Sequence, residues 1–391
     1  MIDVAKVRAD TPACENVLHF NNAGCALSPI QVQQAVIEHL KLEQEIGGYE
    51  AADQAAQKIE GFYSSFASLL NCTPGEIAYL ENATKAWHAA FHALGLQRGD
   101  HVLTGDMEYA SNYLDLLHYA KLKGIEITVS PSNDKGLLDL ERLESAIKPN
   151  TKLICLTHVA SQRGDIQPAE AVGKLAKDKG LFFLLDACQS AGQVSLDVEE
   201  IRCDFLCGTG RKYLRGPRGT GFLYARESTL DNTVPDVIDL HAAQWTETNG
   251  YQLQASARRF ENWERNVAAC IGLATAVDYT LEQGVEEIQQ RISRLAARLH
   301  QQLEIQPDVE VLEKSEQLSG IVTFYKHGEQ AEILQQRLQA EKINSSVSRV
   351  GNARLDLRQD VNRASLHYYN TEDEIDRFVE AVLTDQDARD S

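Results

Sequence analysis

A lysine set among glycines stands in the stretch Asp204-Phe-Leu-Cys-Gly-Thr-Gly-Arg-Lys-Tyr-Leu-Arg-Gly-Pro-Arg-Gly-Thr-Gly-Phe-Leu-Tyr224. The apolar run Phe205–Cys207 breaks into Gly208-Thr209-Gly210 and presents Arg211-Lys212. It then passes Gly216, Gly219 and Gly221 before a second apolar run, Phe222–Tyr224. The pattern predicts strand, exposed tip, tight glycine turns, strand. A lysine at such a tip is either a solvated surface charge or an amine that condenses with a carbonyl.

Other glycine-loop chemistries fit poorly. Gly208-Thr-Gly-Arg-Lys-Tyr213 lacks the third glycine of a dinucleotide-binding loop and comes late in the chain. Gly216-Pro-Arg-Gly-Thr-Gly221 has no lysine for a P-loop, and no G-x-S-x-G elbow occurs. A pyridoxal phosphate site needs a lysine, an acid for the pyridine nitrogen, and hydroxyl, N–H and cationic groups for the phosphate. Asp186 closes the apolar run Leu181–Leu185, where a carboxylate is costly unless a cation pairs with it. A protonated pyridine would be that cation; a helix cap or turn acid is the plainer alternative. Gln189, three residues on, is placed to reach the same ring.

These residues need a frame. Strand-like runs at Ile77–Leu80, His101–Gly105, Ile125–Val129, Lys152–Thr157 and Leu181–Leu185 alternate with helical stretches at 85–96, 111–123, 139–147 and 168–179. That beat predicts an open, mostly parallel α/β sheet with helices on both faces. Ligands in such sheets sit at the carboxyl ends of the strands. The rule selects Ala83 and Thr84; Asp106, Glu108 and Tyr109; His158 to Ser161; Asp186 and Gln189; Thr209, Arg211 and Lys212. Residues 227–258 read as a long irregular excursion, functional rather than idle at that length. Helices are predicted at 267–283 and 285–303, strands at 320–324 and 365–369, and a terminal helix at 372–383 capped by Thr371. Residues 385–391 read as a frayed tail. The division expected is a large α/β domain over 19–262 and a smaller α+β domain from 1–18 and 263–391.

Composition narrows the function class. The chain has 391 residues, 43% hydrophobic and 24% charged, with a formal net charge of -19. That balance opposes nucleic-acid or anionic-membrane partners. No run has membrane-span length and no signal-peptide core opens the chain, so a cytoplasmic location is expected. The eight cysteines show no zinc spacing, and no metal is expected. Reduced, mostly buried thiols are the expectation, with Cys25 kept as the one near chemistry.

The ordered motifs resemble the class V aminotransferases, the fold-type-I pyridoxal phosphate family that includes cysteine desulfurases, cystine C–S lyases and isopenicillin N epimerase. The resemblance rests on Leu185-Asp-Ala-Cys-Gln-Ser-Ala-Gly192, Cys207–Tyr213 and Gly216–Gly221, with Phe20-Asn-Asn-Ala-Gly24, Ala83-Thr84, Glu108–Asn112, Thr157–Ser161, Arg259-Phe-Glu261 and Arg363–Thr371. It runs nearly end to end. It implies a large domain with a mostly parallel seven-stranded sheet and a smaller α+β domain, working as a homodimer with the active site at the interface. Lys212 would carry pyridoxal 5'-phosphate as an imine and move the Cα proton; nearby Arg211 would help keep its amine neutral. Asp186 would pair with the ring nitrogen, Gln189 with the ring oxygen, and Tyr109 would stack on the ring. Ala83, Thr84, Thr209 and Arg211 would hold the phosphate, and Ser161 stands where the family often has asparagine. Arg363 would grip the substrate carboxylate with its planar fork, with Asn22 beside it.

Two departures bear on the reaction. After Glu261 the desulfurases carry Ala-Gly-Thr, whose threonine reaches the partner's phosphate; here Asn262-Trp-Glu264 follows, and a glutamate repels phosphate. The small-domain stretch Lys342–Arg349 has no cysteine, and none lies beyond Cys270, which weighs against persulfide transfer. β-Elimination at sulfur on a small amino acid is the leading expectation, followed by transamination to a 2-oxo acid, then epimerisation or desulfuration. A partner-binding protein without turnover is the non-enzyme alternative, opposed by the intact Lys212, Asp186 and Arg363. Arg163, Arg215, Arg218, Arg349, Arg354 and Arg358 supply cations for a second acidic group on the substrate; at most one or two are expected in that role, and most are expected to be solvated or ion-paired surface residues.

Overall fold

A computed structural model describes residues 1–384; the expected frayed tail at 385–391 lies outside the described residues. The large sheet has seven strands: β1 Ile77–Leu80, β2 His101–Gly105, β3 Glu126–Ser130, β4 Thr151–Thr157, β5 Phe182–Asp186, β6 Phe205–Thr209 and β7 Gly221–Ala225. They lie in the order β1-β7-β6-β5-β4-β2-β3. β7 is antiparallel to both neighbours and the other six share one direction. The mostly parallel sheet is thus as expected.

Burial follows the pleat. Ile154, Leu156, Phe183, Leu185 and Leu206 join the core on one face. Leu153, Cys155, Leu184, Phe205 and Cys207 join that on the other. Strands covered on both sides have no polar alternation, which is why Leu181–Leu185 carries none. Helix Val267–Gln283 packs Cys270, Leu273, Ala274 and Val277 into the first of these cores.

A second, four-stranded antiparallel sheet is built from β8 Val309–Val311, β9 Ile321–Lys326, β10 Ser346–Ser348 and β11 Val361–Ser365, in the order β8-β9-β11-β10. Its core takes in Leu18 and Phe20 from the start of the chain and Ile375, Phe378 and Val382 from the terminal helix. That helix, Glu372–Leu383, begins with a capping box in which Thr371 and Glu374 satisfy each other's backbone N–H groups.

Two readings of the sequence are corrected. The strand expected at 365–369 is β11, ending at Ser365. Tyr368 and Tyr369 are buried because their rings surround the Arg215 guanidinium, at 5.2 and 4.8 Å, and not through strand pairing. The 227–258 excursion is not wholly irregular: Ala243–Glu247 and Gly250–Leu253 form a two-stranded ribbon. Its turn residues are Thr248 and Asn249, and the dipeptide Asn249-Gly250 that leads into the second strand is a hairpin signal readable in the sequence.

Candidate active site

The strand order changes direction at β2: the next two strands of the chain, β3 and β4, lie on opposite sides of it. A crevice opens at the carboxyl end of such a sheet. A cleft of about 360 Å³ lies there, lined by Gly24, Tyr109, Ser161, Gln189, Arg211, Lys212 and Arg363 among others. The loop 347–353 of the small domain closes its other wall.

Lys212 is buried but borders the cleft, and its amine makes no hydrogen bond or ion pair among the described residues. It lies 5.9 Å from the centre of the Tyr109 ring. Burial lowers its pKa; Arg211 and Arg363 push the same way, against Cys188 and Asp186. The lowered pKa favours the neutral amine, the form that attacks a carbonyl.

Asp186, at the end of β5, is buried. Its Oδ1 accepts from the Cys188 N–H and its Oδ2 from Asn112 Nδ2, both at 2.8 Å. The same Asn112 nitrogen donates to Glu108 Oε1 at 3.0 Å. Thr157 Oγ1 donates to Glu108 Oε1 at 2.6 Å and Thr104 Oγ1 to its Oε2 at 2.7 Å. Burial raises the Glu108 pKa, against those three hydrogen bonds, and Asp186 adds to the rise. Asn112 was legible only as part of a motif, and nothing in the sequence marked it as the link between two acids.

Thr209 ends β6, pairs across to Gly221, and donates to the Thr220 carbonyl at 3.1 Å. Gly221 in turn pairs with Leu80, at the end of β1. A Cβ on Gly221 would lie 2.7 and 2.9 Å from the Asn82 backbone. The missing side chain therefore lets helix Ala83–Ala93 start against the Thr209 strand end. Ala83 and Thr84 open that helix, whose unpaired N–H groups suit a phosphate. Arg211 lies across the cleft edge, donating to the Gly24 carbonyl at 3.0 Å.

Arg363 projects from β11. Its Nη1 donates to the Ser161 carbonyl at 2.7 Å and its Nη2 to Asn21 Oδ1 at 3.3 Å, while its buried Nε has no partner among the described residues. Its pKa falls to about 10, chiefly through burial, so it stays charged at neutral pH. The structure moves the partner role from Asn22 to Asn21. Asn22 is fully buried and outside the cleft; its amide donates to the Ser365 and His19 carbonyls and accepts from the Tyr369 hydroxyl. His158 is likewise absent from the cleft walls and borders a different cavity.

Arg215, three residues after Lys212, was one of six arginines considered for the substrate, most of them expected at the surface. It is instead buried, donating to the Leu27 carbonyl, the Tyr368 hydroxyl and Thr11. It fastens the lysine loop to the small domain and to the start of the chain.

The model of the family described as Aminotransferase class-V matches residues 18–378. The chain belongs to the class V aminotransferase family. The class V chain is 30% identical to a probable cysteine desulfurase of Pyrococcus abyssi, over 95% of each. It is 27% identical to a probable cysteine desulfurase of Methanothermobacter thermautotrophicus, over 96% of each. Among solved structures, an apo cysteine desulfurase from Thermococcus onnurineus NA1 superposes with a TM-score of 0.90 at 29% identity, covering 97% of both chains. Membership of this family makes the chain a fold-type-I, pyridoxal-phosphate-dependent enzyme. The residues present fit that cofactor: a buried, partnerless lysine with a lowered pKa, a buried acid, a backbone cradle that a Cβ would fill, and Gln189 Oε1, buried without a partner.

Proposed function

We propose that this enzyme cleaves the C–S bond of a cysteine-type amino acid by β-elimination: the sulfur group leaves with its electron pair and is protonated (to hydrogen sulfide or a thiol, a persulfide from cystine, a sulfenic acid from a sulfoxide), and one water is consumed in giving pyruvate and ammonia. Names of relatives support the sulfur amino acid. The observation that carries elimination is the cleft wall at 347–353, which presents Val347, Ser348, Arg349, Asn352 and Ala353 and no thiol to receive sulfur.

Bound pyridoxal phosphate supplies the electron sink that makes loss of the Cα proton feasible. The chain's residues do the rest. Lys212 holds the cofactor and moves the Cα proton. Asp186, braced by Asn112, would hold the ring nitrogen, Gln189 the ring oxygen, and Tyr109 one ring face. Ala83, Thr84, Thr209 and Arg211 would receive the phosphate, with Ser161 at its side of the cleft. Arg363 would bind the α-carboxylate through its fork.

Desulfuration is the second reading, favoured by the relatives' names; it would require Cys25 or Cys188 as acceptor, and neither lines the cleft. Incubation with cysteine, cystine and cysteine sulfoxides separates them. Pyruvate plus ammonia without a keto acceptor supports elimination. Alanine plus sulfane sulfur supports desulfuration, and dependence on an added 2-oxo acid supports transamination.

A cytoplasmic homodimer is part of this reading. Tyr49 and Trp263 are 72% and 57% exposed and border one cavity of about 560 Å³, and Trp245 on the ribbon is 72% exposed. Exposed aromatics at that density suit a subunit interface. No helix among the described residues is long and apolar enough to cross a membrane. Light scattering at micromolar concentration tests the dimer.

A further inference from the structure

The backbone that follows Lys212 is gripped by residues distant in sequence. Gly192, on the loop after Asp186, lies so close that a Cβ there would stand 2.6 Å from both the carbonyl carbon and the carbonyl oxygen of Tyr213. The same Tyr213 oxygen meets His367 Nε2 at 3.1 Å. The Lys212 carbonyl is taken by the Arg215 N–H at 2.9 Å, in a turn that holds Arg215 at a φ of 61°.

His367 can only donate in its contact. Its Nδ1 accepts the Tyr368 N–H at 3.0 Å, so the proton of the neutral ring stands on Nε2. Burial and the nearby Arg215 charge lower its pKa well below the ordinary value, which keeps the ring neutral. The side chain is fully buried and stacks on Tyr369, with ring centres 5.0 Å apart and planes 7° apart. Its own backbone N–H donates to Asn370 Oδ1 at 2.8 Å. Packing thus leaves the ring one orientation, and that orientation aims one N–H at the residue after the lysine.

A satisfied core histidine would need no more than this. The segment that carries His367 does more. Arg363 stands four residues earlier on it. Between them the Ser365 N–H is fixed to the Phe20 carbonyl and the Leu366 N–H to the Gly320 carbonyl, both at 2.7 Å. One pinned segment of the small domain therefore carries both the arginine assigned to the α-carboxylate and the donor that holds the chain beside Lys212. The Lys212 amine has no partner of its own to steer it, so its place depends on its backbone. A shift of about 1 Å in a reacting group costs on the order of 100-fold in rate.

We infer that His367 is a positioning residue: through the Tyr213 carbonyl it fixes the backbone of Lys212, and with it the place of the amine relative to Arg363. This rests on the assignment of the cofactor to Lys212 proposed above.

Titration of the apoprotein with pyridoxal phosphate, followed by the visible band of the loaded protein, tests this without turnover. Three replacements separate the donor from the packing. His367→Gln carries an N–H to the Nε2 position. His367→Asn stops short, at the Nδ1 position. His367→Phe keeps a flat ring and has no donor. The Gln variant should bind the cofactor within about twofold of wild type and keep its absorbance maximum. The Asn and Phe variants should bind about tenfold more weakly with a displaced maximum, the loss expected for one buried hydrogen bond. Urea midpoints report any loss of packing separately. A folded Asn or Phe variant with wild-type affinity and band, or a Gln variant as weak as the Asn one, overturns the inference and leaves His367 a packing residue. If the Phe variant does not fold, the contrast between Gln and Asn decides. A wild-type protein that takes up no pyridoxal phosphate, or a Lys212→Ala protein that keeps the band, overturns instead the reading on which the inference rests.

Discussion

Asn112 hydrogen-bonds the Asp186 carboxylate at 2.8 Å with the same nitrogen that reaches Glu108 at 3.0 Å. One amide thus orients the acid assigned to the ring nitrogen and ties it to a second buried acid, itself bonded to Thr104 and Thr157. Asn112→Leu removes the link and leaves two buried carboxylates without a shared donor, a cost of about 1–3 kcal/mol. The expected outcome is about tenfold weaker cofactor uptake and a shifted absorbance maximum, with the fold retained. Titration of the apoprotein with pyridoxal phosphate, followed by absorbance, checks it; unchanged affinity and spectrum would show that the contact does not orient Asp186.

Lys212→Ala should abolish the visible band of the bound cofactor. Because that amine makes no hydrogen bond or ion pair in the fold, its removal leaves no partner unsatisfied, and stability should change by less than about 1 kcal/mol. Spectra and urea midpoints read the two effects separately. A retained band would transfer the imine role to another lysine.

How far the sequence revealed the site depended on where each residue stood. Asp186 closes an apolar run and Lys212 stands in the glycine tip just after another, and an apolar run is a signal that survives without tertiary information. Arg363 came from motif resemblance, and its contacts with Ser161 and Asn21 join segments about 200 and 340 residues away along the chain. No local pattern reports such a contact. Asn22 was named for the substrate side, whereas Arg363 contacts its neighbour Asn21, because composition does not say which of two adjacent residues faces in. The Arg215 role failed for a related reason. An arginine reads as a surface charge until three tyrosine rings, two of them in the last quarter of the chain, are brought around it.

Glu261 anchors the segment that follows the ribbon. It is 1% exposed and accepts from the Tyr63 hydroxyl at 3.0 Å, the Tyr79 N–H at 2.8 Å, His241 Nε2 at 2.7 Å and Arg265 Nη1 at 3.0 Å. Removing the carboxylate strands four donors, one of them a permanent charge. Glu261→Ala should therefore cost about 3–5 kcal/mol, the range for breaking a buried pair from one side. Urea unfolding gives the value. A loss below about 1 kcal/mol would mean that water replaces the carboxylate without penalty.

His158 gives the fold a pH dependence of known sign. Burial alone lowers its pKa from 6.5 to about 4, so the folded protein keeps the ring neutral where the unfolded chain would protonate it. Its contribution is fully present above about pH 6.5. It is lost as pH falls, because the unfolded state binds the proton first, and it levels off near pH 4. Between pH 7.5 and 5 the loss should be roughly 2 kcal/mol from this residue. His367, also buried with a lowered pKa, acts in the same direction, so the wild-type slope alone does not isolate His158. The His158→Gln variant does: it lacks the titrating ring, and its stability should fall less than wild type's across that interval by the same roughly 2 kcal/mol. Equal slopes for the two proteins would mean that the ring is protonated in the fold, and that burial does not hold it neutral.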